Sequence, residues 1–375
     1  MDRFYFDHNA TTPVSPEVLE AVSGALAEVY GNASSIHHYG QAAKKELEQA
    51  RREVAALLNA DPGEIVFVSG GTEADNLAVL GVVRAAGKPR KHVVTTAIEH
   101  PAVLNACAQL EREGVEVTYA APDQVLRALR SETVLVSVMH ANNELGTLQP
   151  VAEIARIARE AGVLVHSDGV QAAGRVAVDV GALGVDLYSI SGHKMYAPKG
   201  IGALYVRKGV RLAPLLYGGH HEHDLRAGTE NVPGAVALGR AATWARENLA
   251  TGLAALRDRL ERGILERVPD TAVNGAGAPR IPNTTNIRFD GIDGEAMAIA
   301  LDLRGFAVSG GAACSSGAVE PSHVLTAIGL TKEQARSSLR FSLGRQNDES
   351  QVDALIEAVA GAAAHLRRLS PAYHA

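Results

Sequence analysis

Cysteine is nearly absent: Cys107 and Cys314 are the two in 375 residues. That is too few for a disulfide framework or a thiolate metal cage, so no metal centre is expected and cytoplasmic residence is the default. Charge of one sign is also missing. The chain carries 36 basic and 42 acidic residues, a net −6, with no basic block. Such a balance argues against nucleic-acid or membrane-surface partners. No apolar run is long enough to cross a bilayer, and the first residues, Met1 to Asp7, lack the positive-then-apolar pattern of an export signal. Repeats and low-complexity tracts are absent. Gly70-Gly71-Thr72-Glu73 lacks the GxGxxG spacing and no GxxxxGK[ST] occurs, which removes the dinucleotide and P-loop signatures.

What is present is alternation. Between about Glu64 and Val206, short β-branched runs such as Ile65-Val66-Phe67-Val68, His92-Val93-Val94-Thr95 and Leu187 to Ile190 alternate with longer amphipathic stretches. Pro101 stands where a helix start tolerates it. The pattern predicts an α/β protein: a large domain with a mostly parallel sheet covered by helices on both faces, plus a smaller α+β domain. The expected boundaries are 15–250 for the large domain, with 1–14 and 251–375 forming the small one. Ligands of such sheets bind at the carboxyl ends of the strands, so residues just after each strand carry the functional interest.

Lys194 follows one of those strands in Ser189-Ile190-Ser191-Gly192-His193-Lys194. Alone it reads as a solvated edge lysine. With Ser191 and His193 able to bond a phosphate, it reads as an amine able to form a Schiff base, a combination that points to pyridoxal phosphate. That cofactor needs a carboxylate for its ring nitrogen, and Asp168 ends the strand Val163 to Ser167. Gln171 and Asn143 could reach a ring hydroxyl, and Gly71-Thr72 opens a helix whose amides suit a phosphate. His100 could stack on a ring. Each residue has a bland reading as a cap, turn or loop residue, but all share the strand-end position. Cys314 lies among Gly310-Gly311 and Ser315-Ser316-Gly317, a turn with little core to fill, whereas Cys107 sits within an amphipathic helix and reads as packing.

The stretches DHNATTP (Asp7–Pro13), GNASSIH (Gly31–His37), SGGTEADN (Ser69–Asn76), EHPAV (Glu99–Val103), MHANNELGTLQP (Met139–Pro150), HSDGVQAAG (His166–Gly174), SGHKMYAPKGIGALYV (Ser191–Val206), RAGTENV (Arg226–Val232), SGGAACSSGAVEPSHVL (Ser309–Leu325) and RSSLRFSLGR (Arg336–Arg345) run across nearly the whole chain. In that order they resemble the cysteine desulfurases of the NifS/IscS type, fold-type-I pyridoxal-phosphate enzymes. The resemblance implies Lys194 as the Schiff-base lysine, Asp168 as the ring-nitrogen partner and His100 as stacking residue and proton carrier. It implies Gly71, Thr72, Ser191 and His193 around the phosphate, with Thr229 reaching the phosphate of a neighbouring subunit, hence a homodimer. Asn143 and Gln171 would touch the ring hydroxyl, Arg340 would clamp the carboxylate of L-cysteine, and Asn32 and Asn143 would contact substrate. Cys314 would take the sulfur as a persulfide and pass it to an acceptor protein, an iron–sulfur scaffold or sulfur carrier; it is also a candidate transient iron–sulfur ligand.

The chain departs from the resemblance at His221, Asp224 and Leu225, where the family commonly has glutamine, glycine and a further arginine. The histidines there do not read as a metal site. The stretch after Arg345 is shorter than in relatives that dock a scaffold. Rival readings are a selenocysteine lyase or an aminotransferase-like enzyme on the same fold, or a non-catalytic sulfur carrier or scaffold partner with a decayed cofactor site.

Overall fold

Strands buried on both faces need apolar residues at successive positions, with each face packed against helices. The computed structural model describes residues 3–249, 252–310 and 320–369. Seven strands form the larger sheet: β1 Ile65–Val68, β2 His92–Thr96, β3 Glu116–Ala120, β4 Thr133–Ser137, β5 Leu164–Asp168, β6 Leu187–Ser191 and β7 Gly202–Val206. Their order is β1-β7-β6-β5-β4-β2-β3. β7 runs antiparallel to both neighbours, and every other adjacent pair is parallel.

The pleat divides the side chains between two cores. Val66, Val68, Val93, Leu135, Leu187 and Leu204 pack with helices α3 (Gly71–Ala85) and α4 (Pro101–Arg112). Ile65, Phe67, Val94, Val136, Val165 and Ile190 pack on the opposite face with α2 (His38–Leu58), α5 (Val151–Glu160) and α6 (Val232–Glu247). The α/β architecture expected from the alternation is the one observed.

The chain divides into two compact units. One comprises Thr12–Ala141 with Gln149–Leu249; the other comprises Met1–Thr11, Asn142–Leu148 and Ala250–Ala375. The second unit holds a four-stranded antiparallel sheet in the order Ser309–Gly310, Ser338–Ser342, Thr284–Phe289, Thr271–Val273. Helices Leu253–Arg267 and Glu349–Leu369 share a core with that sheet through Leu260, Ile264, Leu355 and Val359. The segment Asn142–Leu148, which the sequence-based boundaries left in the large domain, belongs here for a visible reason. Leu148 N–H donates to Pro279 O at 2.8 Å, Ile281 N–H to Gly146 O at 2.8 Å, and Thr147 bridges Arg280. Gly146 has φ +75°, and a Cβ on it would stand 2.8 Å from Thr284, so the turn requires glycine.

One buried ion pair ties distant segments of the sheet unit. The side chains of Arg51 of α2 and Glu222 are 6% and 4% exposed and meet at 2.7 Å through Nη1 and Nη2 of the guanidinium, while Phe67 N–H donates to the same carboxylate at 2.7 Å. Glu222, His223 and Asp224 all have positive φ (45°, 57°, 65°), a strained turn that needs anchoring. Arg51→Met strands a buried carboxylate, so we expect a loss of about 3–5 kcal/mol in urea denaturation. Adding Glu222→Gln should recover part of it; a loss under about 1 kcal/mol would show that the pair does not anchor the turn.

Candidate active site

Lys194 ends a one-turn 3-10 helix, Gly192–Lys194, entered directly from β6. This turn is pinned from the N-terminal side. Thr12 N–H and Thr12 Oγ1 both donate to His193 O at 2.9 Å, and Tyr196 N–H donates to Thr12 Oγ1 at 2.8 Å. Gly192 N–H bonds Ile201 O at 3.0 Å. The amine is therefore carried on a braced backbone, half-buried rather than waving in solvent. Thr12 was given no role from sequence, although DHNATTP contains it.

Four strand ends supply the surroundings. α3 begins at Gly71, just past β1, and its N-terminus carries no side-chain cap. Its first-turn amides are thus available to an anion. A Cβ on Gly71 would meet Val170 Cγ2 at 2.8 Å and Ser191 Cβ at 3.4 Å, so glycine is what lets the helix start approach the ends of β5 and β6. Ser191 is buried, and Thr72 is exposed on the same first turn. His193 stays neutral at physiological pH because burial, with Lys194, Lys199 and Arg175 nearby, pushes it down to about 4. His100 caps α4: its Nδ1 accepts from Ala102 N–H at 3.1 Å, which leaves the proton of a neutral ring on Nε2.

Asp168 is the last residue of β5, 6% exposed, with Oδ1 accepting from Val170 N–H at 2.9 Å. It has acidic company. Asp75 of α3 and Glu99 are fully buried. His166 lies between elements, its Nδ1 2.8 Å from Ser137 Oγ and its Nε2 3.0 Å from Ser189 Oγ and 3.5 Å from Asp75 Oδ1. Burial pushes His166 down to about 4, so it brings no positive charge. Burial, then the Asp75 charge, pushes Asp168 up to about 7, although His100 opposes this. Burial likewise raises Asp75 to about 7 and Glu99 to about 8. A carboxyl held up in this way ionises readily once a cation is placed against it. The donor set therefore fits a ligand with an anionic group at the α3 start and a cationic nitrogen at Asp168. Neither Asp75 nor His166 was singled out from sequence.

Gln171 is buried on the turn after Asp168. Asn32 and Thr229 belong to the same unit but are exposed; Asn32 Oδ1 accepts from Ser34 N–H at 2.9 Å. Arg340 and Asn143 lie in the other unit. There the Arg340 guanidinium donates to Asp7 Oδ1 at 2.7 Å and to Asn143 O at 3.0 Å, while its buried Nε has no hydrogen-bond partner among the described residues. Cys314 lies outside the described residues. Cys107 is buried in α4 with its thiol pushed up to about 12, chiefly by burial, which keeps it unreactive as expected. Among the described residues no group of three or more His, Cys, Asp or Glu side chains could hold a metal, and no helix is long and apolar enough to cross a membrane.

Residues 4–355 match the class-V aminotransferase family. A cysteine desulfurase of Trichormus azollae is 48% identical over 99% of this chain and 95% of its own length. Among solved structures, a NifS-like protein superimposes with a TM-score of 0.90 at 35% identity, covering 97% of this chain and all of that one. SspA in complex with cysteine does so with a TM-score of 0.81 at 37% identity, covering 90% and 98% of the two chains.

The carboxyl cluster yields a pH signature. Unfolded carboxyls titrate near 4, so between about 4 and 8 Asp75, Glu99 and Asp168 hold more protons in the native chain than in the unfolded one, and their contribution to stability falls as pH rises through that window. In protein prepared without ligand, Asp168→Asn should gain stability over wild type as pH goes from about 5 to about 8, measured by urea denaturation. A gap that does not change with pH would contradict the shifted titration.

Proposed function

The chain belongs to the class-V aminotransferase family, and within it we propose that it is a pyridoxal-phosphate-dependent cysteine desulfurase. The observation that carries the reading is the braced Lys194 amine in the same unit as an uncapped helix start and the buried Asp168. Pyridoxal phosphate, when bound, supplies the electron sink that makes the substrate's Cα proton acidic and its sulfur electrophilic.

In this reading Lys194 carries the cofactor and afterwards takes the Cα proton of L-cysteine. Asp168 keeps the ring nitrogen protonated, its ionisation favoured by the cation it then faces. Gly71 and Thr72 with Ser191 and the neutral His193 hold the phosphate. His100 lies against the ring and moves a proton through Nε2. Gln171 and Asn143 meet the ring hydroxyl. Arg340, oriented by Asp7 and the Asn143 carbonyl, holds the substrate carboxylate, with Asn32 and Asn143 as further substrate contacts. The Cys314 thiolate takes the sulfur: L-cysteine and the thiol become L-alanine and a persulfide, with no external oxidant or reductant. The persulfide then serves an acceptor in iron–sulfur assembly or thiolation; transient cluster ligation by Cys314 goes with that role. The solved relative bound to cysteine supports the substrate.

A homodimer completes the proposal. Thr229 is exposed, consistent with reaching a neighbouring subunit's phosphate, and Tyr30, Ile36 and Tyr217 are 70%, 94% and 85% exposed, apolar surface of the kind that subunit contacts cover.

Three variants test the reading. Wild type and Cys314→Ser should both take up pyridoxal phosphate and turn yellow, but with a dithiol present to reduce the persulfide only wild type should release alanine and sulfide from L-cysteine. Equal release from both would remove the proposal. Lys194→Ala should form neither the coloured species nor alanine. Arg340→Gln should raise KM for L-cysteine by roughly 10- to 100-fold, the worth of one charged hydrogen-bonded contact; an unchanged KM would place the carboxylate elsewhere.

A further inference from the structure

Resting on the functional reading above, we infer that Arg175 is a positioning residue that acts through Gln171. Its guanidinium fixes the Gln171 amide so that the Nε2 donor, rather than the Oε1 acceptor, is presented to the cofactor's phenolic oxygen.

The geometry is local to one turn. Arg175 Nη1 donates to Gln171 Oε1 at 2.5 Å and to Gln171 O at 2.9 Å. An arginine has five donors and no acceptor, so the amide group facing it must be the oxygen, and the planar amide sends its NH2 the other way. The chain is bent to make this contact. Gly174 has φ +77°, and a Cβ there would stand 3.1 Å from Met195 Cγ and 3.2 Å from Ala245 Cβ. Glycine thus permits the turn in which Arg175 N–H bonds Ala172 O at 3.0 Å and the side chain reaches back to Gln171. Both side chains are buried, at 8% and 4% exposure, which leaves little room for the amide to rotate.

The chemical consequence follows from what a hydrogen bond does to a titrating oxygen. A donor favours the ionised phenolate; an acceptor favours the protonated phenol. Released from Arg175, Gln171 could turn its carbonyl toward the phenol and hold the proton on it. The other titratable or charged groups acting on this stretch are Asp168 before the turn, with Asp75, His100 and His166 acting on it, and His193, Lys194 and Lys199 after β6; none of them is replaced when Arg175 is changed.

The test uses the full chain loaded with pyridoxal phosphate and reads the pH midpoint of its visible absorption change. Arg175→Met should move the midpoint up by on the order of one pH unit, and Arg175→Lys, which keeps a charged donor but not the planar guanidinium, should move it up by less. Gln171→Met should also raise it, and adding Arg175→Met to Gln171→Met should change little, because the route is through the amide. An unmoved midpoint in coloured Arg175→Met overturns the inference, as does a full shift from Arg175→Met in the Gln171→Met background. Should Arg175→Met fail to fold, Arg175→Lys carries the test, and an unshifted midpoint there overturns the inference. Wild type that takes up no colour overturns the functional reading itself, so the two failures are distinguishable.

Discussion

A carboxyl group buried beside other carboxyl groups is the constraint on which the site depends. Asp168 lies at the end of β5 with Asp75 near it, Glu99 in the same unit, and a neutral histidine, His166, where a cation could have stood. Left alone, this cluster holds its protons well above the usual carboxylate range. It becomes an anion in the right place when a positive nitrogen arrives, and the binding energy of a cationic ring is coupled to that ionisation. The same burial that makes an ionised carboxylate costly there makes the group responsive to a neighbouring positive charge.

On the proposed reading, the remaining features serve the other edges of that ligand. An uncapped helix start with a glycine allows close approach of a phosphate, and the Lys194 turn is braced by Thr12 so that the amine is delivered from fixed backbone. Arg175 locks Gln171. All of these lie in the unit built on the seven-stranded sheet, where consecutive strand ends bring residues far apart in sequence to one edge. Arg340, held by Asp7 and the Asn143 carbonyl, is prepared in the same manner within the second unit. Rigid elements position each group before any ligand is present, which is what low reorganisation in a catalytic site requires.

Much of this was legible in the sequence because the alternation of apolar runs and amphipathic stretches locates strand ends, and Lys194, Asp168, Gly71 and His100 are strand-end residues. The supporting residues were not legible, for physical reasons. Asp75 sits on a helix face whose burial is decided by the sheet beneath it. His166 reads as one polar residue in an apolar strand. Arg175 lies four residues after Gln171, but the intervening Gly174 hides any helical spacing. Glu222, passed over within a histidine-rich run, is buried against Arg51 across 171 positions. Contacts at such separation leave no local signal. The run's histidines behave more simply: His220 pairs with Asp224 on the surface.

The central claim is that sulfur leaves L-cysteine for the thiol at position 314 while the carbon skeleton leaves as alanine. Mass spectrometry of the Cys314 peptide after a single turnover, with isotopically labelled sulfur in the cysteine, tests it most directly. Labelled sulfur should appear at Cys314 in step with the alanine formed. Alanine formed without label at Cys314, or label found on Cys107 instead, would contradict it.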